Sequence, residues 1–513
     1  MRTENSIKNI FSGFASNIVT SLLSFVSRTV FIKTIGKLYL GVNGLLSNVL
    51  GLLSLTELGI GLAINYSLYK PLAEKDDDKV LSLMNFYKKC YRVIALVVAS
   101  IGLAILPFLN VVIKEASTIP NLKLIYLIFL FNMVIGYLFS YKRTIVVADQ
   151  KSYKLIPYTI SFNIITVVSQ IIVLLIFKNY FAYLLINSTF IILENVVINK
   201  FINKTYPILQ TDSKNIKPVD AGEMKVIKRN VKALLFHKIG ETCVTSTDNI
   251  IISAVIGVSI VGIYSNYSVI FGIISSLLLI IFNSLTASFG NLIVKENSHK
   301  RLNTFLVMNF LASCLYGISS ICFLILFNPF ITLWIGSDYL LDMFTVSVLV
   351  INFYMTGLRI PLAIVKAAAG IYNEDKYIPI IQSAVNLVVS LILAYKIGIT
   401  GVFIGTVVSG LIPSIQRAIL VYKMVFKEKS INYFKNYIKF LLIFVISYLI
   451  VYKLDLLLHI PTNILGLLIK LLLSVVVPTI NLVILFYKTS EYKRIKEIIY
   501  NIFWRLKCKK KSV

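Results

Sequence analysis

Charged residues are scarce in this chain of 513 residues, since Asp, Glu, Lys and Arg together make up 14% of it. A soluble domain holds about 25%. Hydrophobic residues reach 57% and form continuous runs of about 20 residues, the length that crosses a hydrocarbon core about 30 Å thick. The runs do not alternate between apolar and polar side chains, as the strands of a membrane barrel would. The sequence therefore predicts an all-α, polytopic integral membrane protein.

Cysteine is rare, and nucleotide-binding motifs are missing. The five cysteines have no spacing that suggests a metal site or a disulfide framework. The sequence holds no G-x-x-x-x-G-K-[ST] motif, so we expect no ATPase within the chain. No predicted outer loop is long enough for the extracytoplasmic domain that a lipid-linked sugar transferase or polymerase usually needs. Because no catalytic constellation is found, the chain is predicted not to be an enzyme and to bind no metal or organic cofactor.

Apolar runs and the loops between them divide the chain into about fourteen predicted spans. Very short connections alternate with basic ones such as "KPLAEKDDDK" (70–79). The first run is too long and too polar for a cleaved signal peptide, so we expect it to remain as the first span. The predicted spans are 10–34, 42–69, 91–113, 122–147, 155–177, 180–203, 231–256, 259–290, 303–334, 342–370, 378–396, 400–424, 436–453 and 462–486.

Positive charge dominates, with 51 Lys and Arg residues against 23 Asp and Glu residues. With the N-terminus inside, the predicted cytosolic segments hold 38 Lys and Arg residues and the outer segments hold 7. This asymmetry follows the positive-inside rule and predicts that both termini are cytosolic. The loop 204–232 and the tail "KCKKK" (507–511) are then topology determinants near anionic lipid. No aromatic-interleaved basic module accompanies the charge, so no nucleic-acid partner is expected.

The chain also repeats itself. "IGKLYLGVNG" begins at Ile35 and "IGVSIVGIYS" at Ile256, an offset of 221 residues, while "KLIP" and "KYIP" align at an offset of 222. We therefore expect two pseudo-symmetric six-helix lobes plus two extra C-terminal helices, as in transporters built from parallel repeats. The predicted divisions are an N-lobe at 1–204, a cytosolic linker at 205–230, a C-lobe at 231–425, spans 13 and 14 at 426–490 and a basic cytosolic tail at 491–513.

Polar side chains recur at helical spacing inside several predicted spans. In span 7, Lys238, Glu241, Thr245 and Asp248 follow one another at intervals of 3, 4 and 3 residues, which places them on one face of a helix. A charge at the middle of a lipid-facing helix costs roughly 2.5–3.5 kcal/mol. We therefore expect such faces to line a cavity between the two halves. Faces of this kind also occur in spans 1, 2, 8, 10 and 11.

Buried ion pairs between helices are the alternative explanation for any one of these charges. That explanation is preferred for Glu194, Arg417 and Lys470, which lie nearer the ends of their spans. In span 10, Pro361 lies between Arg359 and Lys366 and is predicted to kink the helix, because proline cannot donate to the helical hydrogen-bond ladder. A kink beside two cations is typical of a binding site or a hinge.

Two stretches resemble the Wzx-type polysaccharide repeat-unit flippases, polysaccharide biosynthesis (export) proteins of the multidrug/oligosaccharidyl-lipid/polysaccharide exporter superfamily. The first is "LGVNGLLSNVLGLLSLTELGIGLAINYSLYKPLAEKDDDK" (40–79), which resembles the family's second span and the loop after it. The second is "TDNIIISAVIGVSIVGIYSNYSVI" (247–270), which resembles the junction of spans 7 and 8. The resemblance extends over essentially the whole chain, including the fourteen-span layout.

The resemblance implies a flippase of the bacterial plasma (inner) membrane. Such a protein moves undecaprenyl-diphosphate-linked oligosaccharide repeat units to the outer leaflet by alternating access, for capsule, O-antigen or exopolysaccharide assembly. Membrane lipids and the polymerase and glycosyltransferases of the same pathway are its implied partners. A coupling proton or Na⁺ would drive it. The implied substrate-binding residues are Arg28, Lys238, Arg359, Lys366, Asn17, Ser24, Asn352 and Gln382, and the implied coupling-ion residues are Glu57, Glu241 and Asp248.

Three other functions stay open. A lipid II-type flippase has a similar substrate and is poorly separated by sequence. A multidrug or cation antiporter of the same superfamily commonly has twelve spans and relies mainly on carboxylates, whereas cations are as prominent as acids here. An integral-membrane glycosyltransferase or polysaccharide polymerase would belong to a different class, and bond formation on a lipid-linked sugar would reveal it.

Overall fold

The chain folds into long apolar helices. A computed structural model describes residues 2–57, 60–210, 218–220, 222–225, 227–228, 231, 242, 246–371, 374–497 and 500. Within that part, twelve helices are long and apolar enough to cross a membrane. Of the two remaining predicted spans, 42–69 overlaps the shorter apolar helix Lys37–Leu53, and 231–256 overlaps Ser246–Ile256, while most of its first half lies outside the described residues. The prediction of an all-α, multi-pass membrane protein is therefore confirmed.

The chain divides into two compact units, Met1–Ser265 (unit 1) and Asn266–Val513 (unit 2). In unit 1, α1 packs on α8, α4 packs on α6, and α9 packs on both α6 and α8. The helices that begin in unit 1 are α1 (Arg2–Ile35), α2 (Lys37–Leu53), α3 (Ile60–Glu74), α4 (Asp77–Ile105), α5 (Leu109–Val112), α6 (Leu122–Ser140), α7 (Arg143–Ala148), α8 (Ile156–Phe177), α9 (Tyr180–Thr205) and α10 (Val258–Lys295), which continues into unit 2.

In unit 2, one long and largely buried helix, α11, packs against three others, α12, α16 and α17. Helices α14 and α15 pack tightly on each other, and α15 also packs on α12. The remaining helices are α11 (Ser298–Ile335), α12 (Met343–Leu358), α13 (Ile360–Ala368), α14 (Ile378–Ile397), α15 (Ile399–Val421), α16 (Ile431–Leu457) and α17 (Ile464–Phe486).

The internal repeat is visible in the backbone. Helix caps and positive-φ residues recur at offsets of 220 or 221 residues, although most of the paired residues differ in type. At one pair, Asp76 and Asn297 each accept a hydrogen bond at 3.0 Å from the amide three residues later, which caps α4 and α11. The positive-φ pairs are Gly36 and Gly257, Gln150 and Gly370, and Lys178 and Gly398.

The repeated sequence "IG….G" marks a close helix crossing inside unit 1. A Cβ on Gly41 would overlap the carbonyl oxygen of Val258 and lie 3.1 Å from the amide nitrogen of Gly262. In return, a Cβ on Gly262 would overlap the carbonyl oxygen of Lys37 and lie 3.0 Å from the amide nitrogen of Gly41. Lys37 and Val258 are themselves 221 residues apart, so the contact is reciprocal. The first turns of α2 and α10 therefore meet through backbone, as small residues permit in membranes.

Several predicted spans are broken rather than continuous in the part of the chain that the structure describes. The predicted kink in span 10 is confirmed, since α12 ends at Leu358 and α13 begins at Ile360 with Arg359 between them. Span 4 breaks in the same way between α6 and α7. Within span 2, α2 ends in a 3₁₀ turn, Ser54–Glu57, and α3 begins at Ile60. Breaks of this kind free backbone groups and place polar side chains inside a membrane protein.

The two extra helices attach to unit 2 through α11. Phe310 of α11 contacts the rings of Phe440 and Phe486 at centroid distances of 5.7 and 5.2 Å, and these two rings stack on each other at 5.0 Å. A Cβ on Gly317 would collide with the ring of Phe444. Spans 13 and 14, predicted as an addition, are thus α16 and α17, and they pack as an integral part of unit 2.

Candidate functional site

Arg359 occupies the break between α12 and α13. Its amide bonds the carbonyl of Thr356 at 3.2 Å, and its guanidinium donates to the Thr356 hydroxyl at 2.7 Å. Tyr433 and Tyr437 of α16 lie within electrostatic reach of the guanidinium. Among the described residues, Arg359 forms no ion pair with a carboxylate. Most of the five N–H donors of this half-buried guanidinium therefore make no hydrogen bond to the described residues.

Lys366 lies in a buried ion cluster about two helical turns further along. Its ammonium pairs with Asp375, a side chain with no solvent exposure, and Arg417 Nε pairs with the same carboxylate at 3.1 Å. Lys366 itself is 7% exposed. We call Lys366, Asp375 and Arg417 the Asp375 triad. Two cations share one carboxylate, so the triad carries one excess positive charge close to Arg359. Lys366 is therefore held in a buried ion pair, which is the alternative explanation given above for any one charge within a span.

The predicted polar face of span 11 is partly a helix interface. Asn386 donates to the hydroxyl of Thr406 at 3.1 Å, and Ser390 donates to the carbonyl of Val402 at 2.9 Å. Both are fully buried between α14 and α15. Gln382, one turn earlier on the same face, is half-buried, as is Asn352 of α12. The structure thus leaves Gln382 and Asn352 accessible while Asn386 and Ser390 join two helices.

Arg28 forms a second polar cluster, in unit 1. Its guanidinium donates to the hydroxyl of Ser265 on α10, and that hydroxyl donates to the carbonyl of Gly262 at 2.7 Å. Beside it, the phenol of Tyr183 lies within electrostatic reach of the guanidinium. The structure therefore brings together Arg28 and Ser265, which lie on the polar faces predicted for spans 1 and 8. Two further predicted residues of α1, Asn17 and Ser24, are exposed.

Glu57 ends the 3₁₀ turn after α2, inside predicted span 2. The hydroxyl of Tyr91 on α4 donates to Glu57 Oε1. Tyr87, one turn before Tyr91, accepts from Thr144 of α7 at 3.3 Å, and its ring meets that of Tyr91 edge to face at a centroid distance of 4.4 Å. We call these four residues the Glu57 chain. Within the described part of the chain, no Lys, Arg or His pairs with this carboxylate.

The other predicted coupling residues are less fully described. Asp248 is half-buried in the helical residues 246–250, which lead through the π-helical turn Ile252–Ile256 to Gly257. Lys238 and Glu241 lie outside the described residues, as does Thr245. The proposed roles of these residues stay predictions.

Charges near the ends of spans form ion pairs within their own unit, as predicted for Glu194, Arg417 and Lys470. Glu194 accepts from Arg143 at 3.1 Å, so α9 and α7 are joined by an ion pair. Lys470 pairs with Asp455 at 2.9 Å and joins α17 to α16. Both cases place opposite charges on neighbouring helices, which lowers the cost of burying them.

Sequence reasoning missed the partners rather than the central charges. Asp375 lies in a loop and was not assigned to a polar face, and the tyrosines around Glu57 and Arg359 were counted as apolar. A usable signal was present for α4, because Tyr87 and Tyr91 are four residues apart and so share one face of the helix. Tyr433 and Tyr437 have the same spacing and so share one face of α16, but neither spacing shows which charge the tyrosines contact.

Comparisons with known proteins show which solved structures share this fold. The computed structure is similar to an inward-facing multidrug resistance transporter of the MATE family, of the MOP superfamily, with a TM-score of 0.63 and 14% identity, covering 80% of this chain and 98% of that one. It is similar to the lipid II flippase MurJ in an inward closed conformation, with a TM-score of 0.63 and 16% identity, covering 94% of this chain and 99% of that one.

A third similar structure is a MOP-superfamily transporter from Pyrococcus furiosus, described as having a binding pocket of reverse polarity, with a TM-score of 0.54 and 13% identity, covering 83% of this chain and 97% of that one. No protein-family model matches the chain, and no curated protein matches it. The chain therefore has the fold of MOP-superfamily transporters, and these structural neighbours are transporters and a flippase.

Proposed function

We propose that this protein is a flippase for undecaprenyl-diphosphate-linked oligosaccharide repeat units in the bacterial plasma membrane. It binds the lipid-linked oligosaccharide from the cytosolic side and releases it at the outer side by alternating access, for assembly of a capsule, O-antigen or exopolysaccharide. The polymerase and glycosyltransferases of the same pathway are its proposed partners. Both termini are proposed to be cytosolic, following the distribution of Lys and Arg.

The observation that carries the proposal is the uncompensated positive charge at Arg359. Arg359 lies within electrostatic reach of Arg417, and the two cations of the triad share the one carboxylate of Asp375, so these four side chains together carry two excess positive charges. A diphosphate carries negative charge and many acceptor oxygens, and arginine binds such groups through two parallel hydrogen bonds. A cationic drug would be repelled. Arg28, Lys238 and Lys366 are proposed to add to the same preference.

Polar and apolar surfaces suit the rest of such a substrate. Asn17, Ser24, Asn352 and Gln382 are proposed to hydrogen-bond sugar hydroxyls. The similarity to the lipid II flippase covers 94% of this chain, whereas the similarity to the multidrug transporter covers 80% of it. The helices α16 and α17 expose many large apolar side chains, among them Leu442, Leu465 and Ile484 at 56%, 65% and 62%. Such surfaces are proposed to contact the polyprenyl chain.

Reconstitution tests the proposal. The full chain is placed in liposomes with a fluorescent undecaprenyl-diphosphate disaccharide, and the fraction of probe reached by an impermeant quencher is followed in time. The wild type is expected to move the probe between leaflets, and Arg359→Ala to slow this by about tenfold or more, because a charged hydrogen bond contributes ~1.5–3 kcal/mol. Arg359→Lys should recover part of the rate, because lysine keeps the positive charge but lacks the planar guanidinium that binds a phosphate through two parallel hydrogen bonds.

Lys396→Ala is the matched control, because Lys396 is an exposed cation at the end of α14. It should transport like the wild type. Movement of cationic dyes but not of the lipid probe would favour the multidrug antiporter instead. New glycosidic bonds on the probe would show a transferase or polymerase. Loss of folded protein in Arg359→Ala, judged by size-exclusion chromatography, would assign Arg359 a structural role.

A further inference from the structure

The ion pair between Arg417 and Asp375 uses one edge of the Arg417 guanidinium. Arg417 Nε donates to both carboxylate oxygens of Asp375, at 3.1 and 3.4 Å. A guanidinium has five N–H donors, and the other four lie on its two terminal nitrogens. Those donors of Arg417 make no hydrogen bond to the described residues. The side chain of Arg417 is 18% exposed whereas that of Asp375 is closed to solvent, so the accessible part of the pair belongs to the guanidinium.

Helix α15 carries Arg417 and also contacts Arg359. A Cβ on Gly410 would lie 3.9 Å from Arg359 Nη1, so the Arg359 guanidinium lies against the bare α-carbon of Gly410. Gly410 and Arg417 are seven residues apart on α15, about two turns, and therefore share one face of the helix. Arg417 also lies within electrostatic reach of Arg359. The two guanidinium groups thus lie along the same face of α15, although Arg359 comes from the break between α12 and α13.

This face of α15 has the chemistry of an anion site. Like charges near each other repel, and a bound anion relieves the repulsion. Asp375 compensates one charge of the triad, but it does so through Nε of Arg417 rather than through the terminal nitrogens. The Thr356 hydroxyl accepts from Arg359 Nη2 at 2.7 Å and brings no charge. Phosphate groups supply both the negative charge and several acceptor oxygens, and arginine binds them through two parallel hydrogen bonds.

We infer that Arg417 is a second diphosphate-binding residue, which Asp375 positions. The inference rests on the proposed function, because it assigns a further residue to the diphosphate site of that flippase. Arg359 binds one phosphate group and Arg417 binds the other, each through its terminal N–H groups. Asp375 holds the Nε edge of Arg417 and so fixes the direction of the remaining donors. The triad is then both an ion pair and the support of a binding residue.

Two separate arginines select a ligand with two anionic groups. Seven residues of α-helix span about 10 Å, so Arg417 and the arginine lying at Gly410 approach a ligand from different positions along α15. A single phosphate fills one guanidinium, whereas a diphosphate offers one phosphate group to each. The pair therefore distinguishes a diphosphate-linked lipid from a monophosphate-linked one.

Anion binding to the detergent-purified full chain tests the inference without a lipid. Calorimetric titration measures the dissociation constants of inorganic pyrophosphate and orthophosphate at equal ionic strength, and the wild type is expected to bind pyrophosphate more tightly. Arg417→Lys keeps a cation beside Asp375 but removes the planar guanidinium. Its dissociation constant for pyrophosphate should therefore rise about tenfold, the loss of one charged hydrogen bond. The constant for orthophosphate should change little, because Arg359 remains.

Arg143→Lys is the matched control, because Arg143 also pairs with a carboxylate, that of Glu194, but lies in unit 1. Its dissociation constant for pyrophosphate should equal that of the wild type. An unchanged constant in Arg417→Lys would show that Arg417 serves the ion pair alone and would overturn the inference. The wild type gives a check that needs no variant: equal constants for pyrophosphate and orthophosphate would also overturn it, because one phosphate group would then account for binding.

Asp375→Glu tests the positioning role. It keeps the negative charge and lengthens the side chain by one methylene, so the Arg417 guanidinium is displaced. The preference for pyrophosphate over orthophosphate should fall toward that of Arg417→Lys. A carboxylate with a purely structural role would change the unfolding temperature and leave this preference as it is, and that result would refute positioning by Asp375.

The liposome assay separates this inference from the proposed function. Arg417→Lys should slow movement of the fluorescent undecaprenyl-diphosphate disaccharide about tenfold. Wild-type movement and wild-type pyrophosphate binding in this variant would refute the role of Arg417 while the flippase stands. Pyrophosphate binding that depends on Arg417, with no movement of the lipid probe by the wild type, would refute the flippase while the anion site stands.

Discussion

At the scale of single residues, the structure distinguishes charges that form ion pairs between helices from charges that have no ion pair among the described residues. Lys366, Arg417, Glu194 and Lys470 each have an opposite charge within their own unit. Arg359 has a hydroxyl and tyrosines around it. Arginine thus occurs in both groups, as Arg417 and as Arg359, and only the partner of each side chain distinguishes them.

Asp375 is the most vulnerable charge in unit 2. Asp375→Asn leaves Lys366 and Arg417 buried beside each other without their shared carboxylate. Removing one partner of a buried pair costs about 3–5 kcal/mol, so we expect a clear fall in the thermal unfolding temperature of the detergent-purified protein. Asp338→Asn is the control, because Asp338 is exposed. Equal unfolding temperatures for both variants would show that the triad contributes little.

The charged residues inside spans could be found from sequence because the cost of burying a charge makes each one conspicuous. Their partners could not. Asp375 is adjacent to Lys376 in a loop, where an acidic residue is unremarkable. Whether Lys366 contacts a substrate or Asp375 depends on how the chain turns after α13, which helical spacing alone does not specify.

At the scale of helices, small residues decide how closely elements approach. Gly41 and Gly262 let α2 and α10 meet through backbone. The repeat was predicted from the same glycines, yet the sequence alone did not show that the two copies contact each other. A motif repeated at a fixed offset indicates similar structure, and contact between the copies is a separate property.

Gly262→Ala should destabilise the protein, because its Cβ would overlap the Lys37 carbonyl oxygen, and overpacking costs about 1–3 kcal/mol. Gly272→Ala is the matched control on the same helix, since a Cβ there meets nothing within 4 Å. We expect a lower unfolding temperature for the first variant and an unchanged or slightly higher one for the second. The reverse order would show that the crossing is loose.

Helix caps give a second test at this scale. Asp76→Ala and Asn297→Ala each remove a side chain that accepts from the third amide of a helix, and such caps contribute about 1 kcal/mol. We expect similar, modest losses in unfolding temperature for the two. Asp77→Ala, inside the first turn of α4, should cost less. Unequal losses at Asp76 and Asn297 would show that the repeated caps are not equivalent.

At the scale of the whole molecule, composition and hydropathy were enough to predict an all-α membrane protein, and the internal repeat added the two related halves and the two extra helices. The breaks in spans 2 and 4 were not predicted, because neither contains a proline at the break. Both positions lie beside the polar clusters of unit 1. Continuity of a helix depends on tertiary partners for the freed backbone groups, and these partners are distant in sequence.

The orientation of the chain is testable by cysteine labelling. In a variant lacking the natural cysteines, Lys396→Cys should react with an impermeant maleimide added outside intact cells, whereas Lys429→Cys should react only after the membrane is opened. Both lysines are exposed, so a difference in labelling reports the side of the membrane. Labelling of Lys429→Cys in intact cells would contradict cytosolic placement of the basic loops.

Deletion of the gene in the native host tests the central claim most directly. If the protein is the proposed flippase, the cells lose one surface polysaccharide, and its lipid-linked repeat unit accumulates on the cytosolic side of the plasma membrane. A plasmid carrying the wild-type gene should restore the polymer, and one carrying Arg359→Ala should not. An unchanged surface polysaccharide together with altered drug sensitivity would contradict the account and favour a multidrug antiporter.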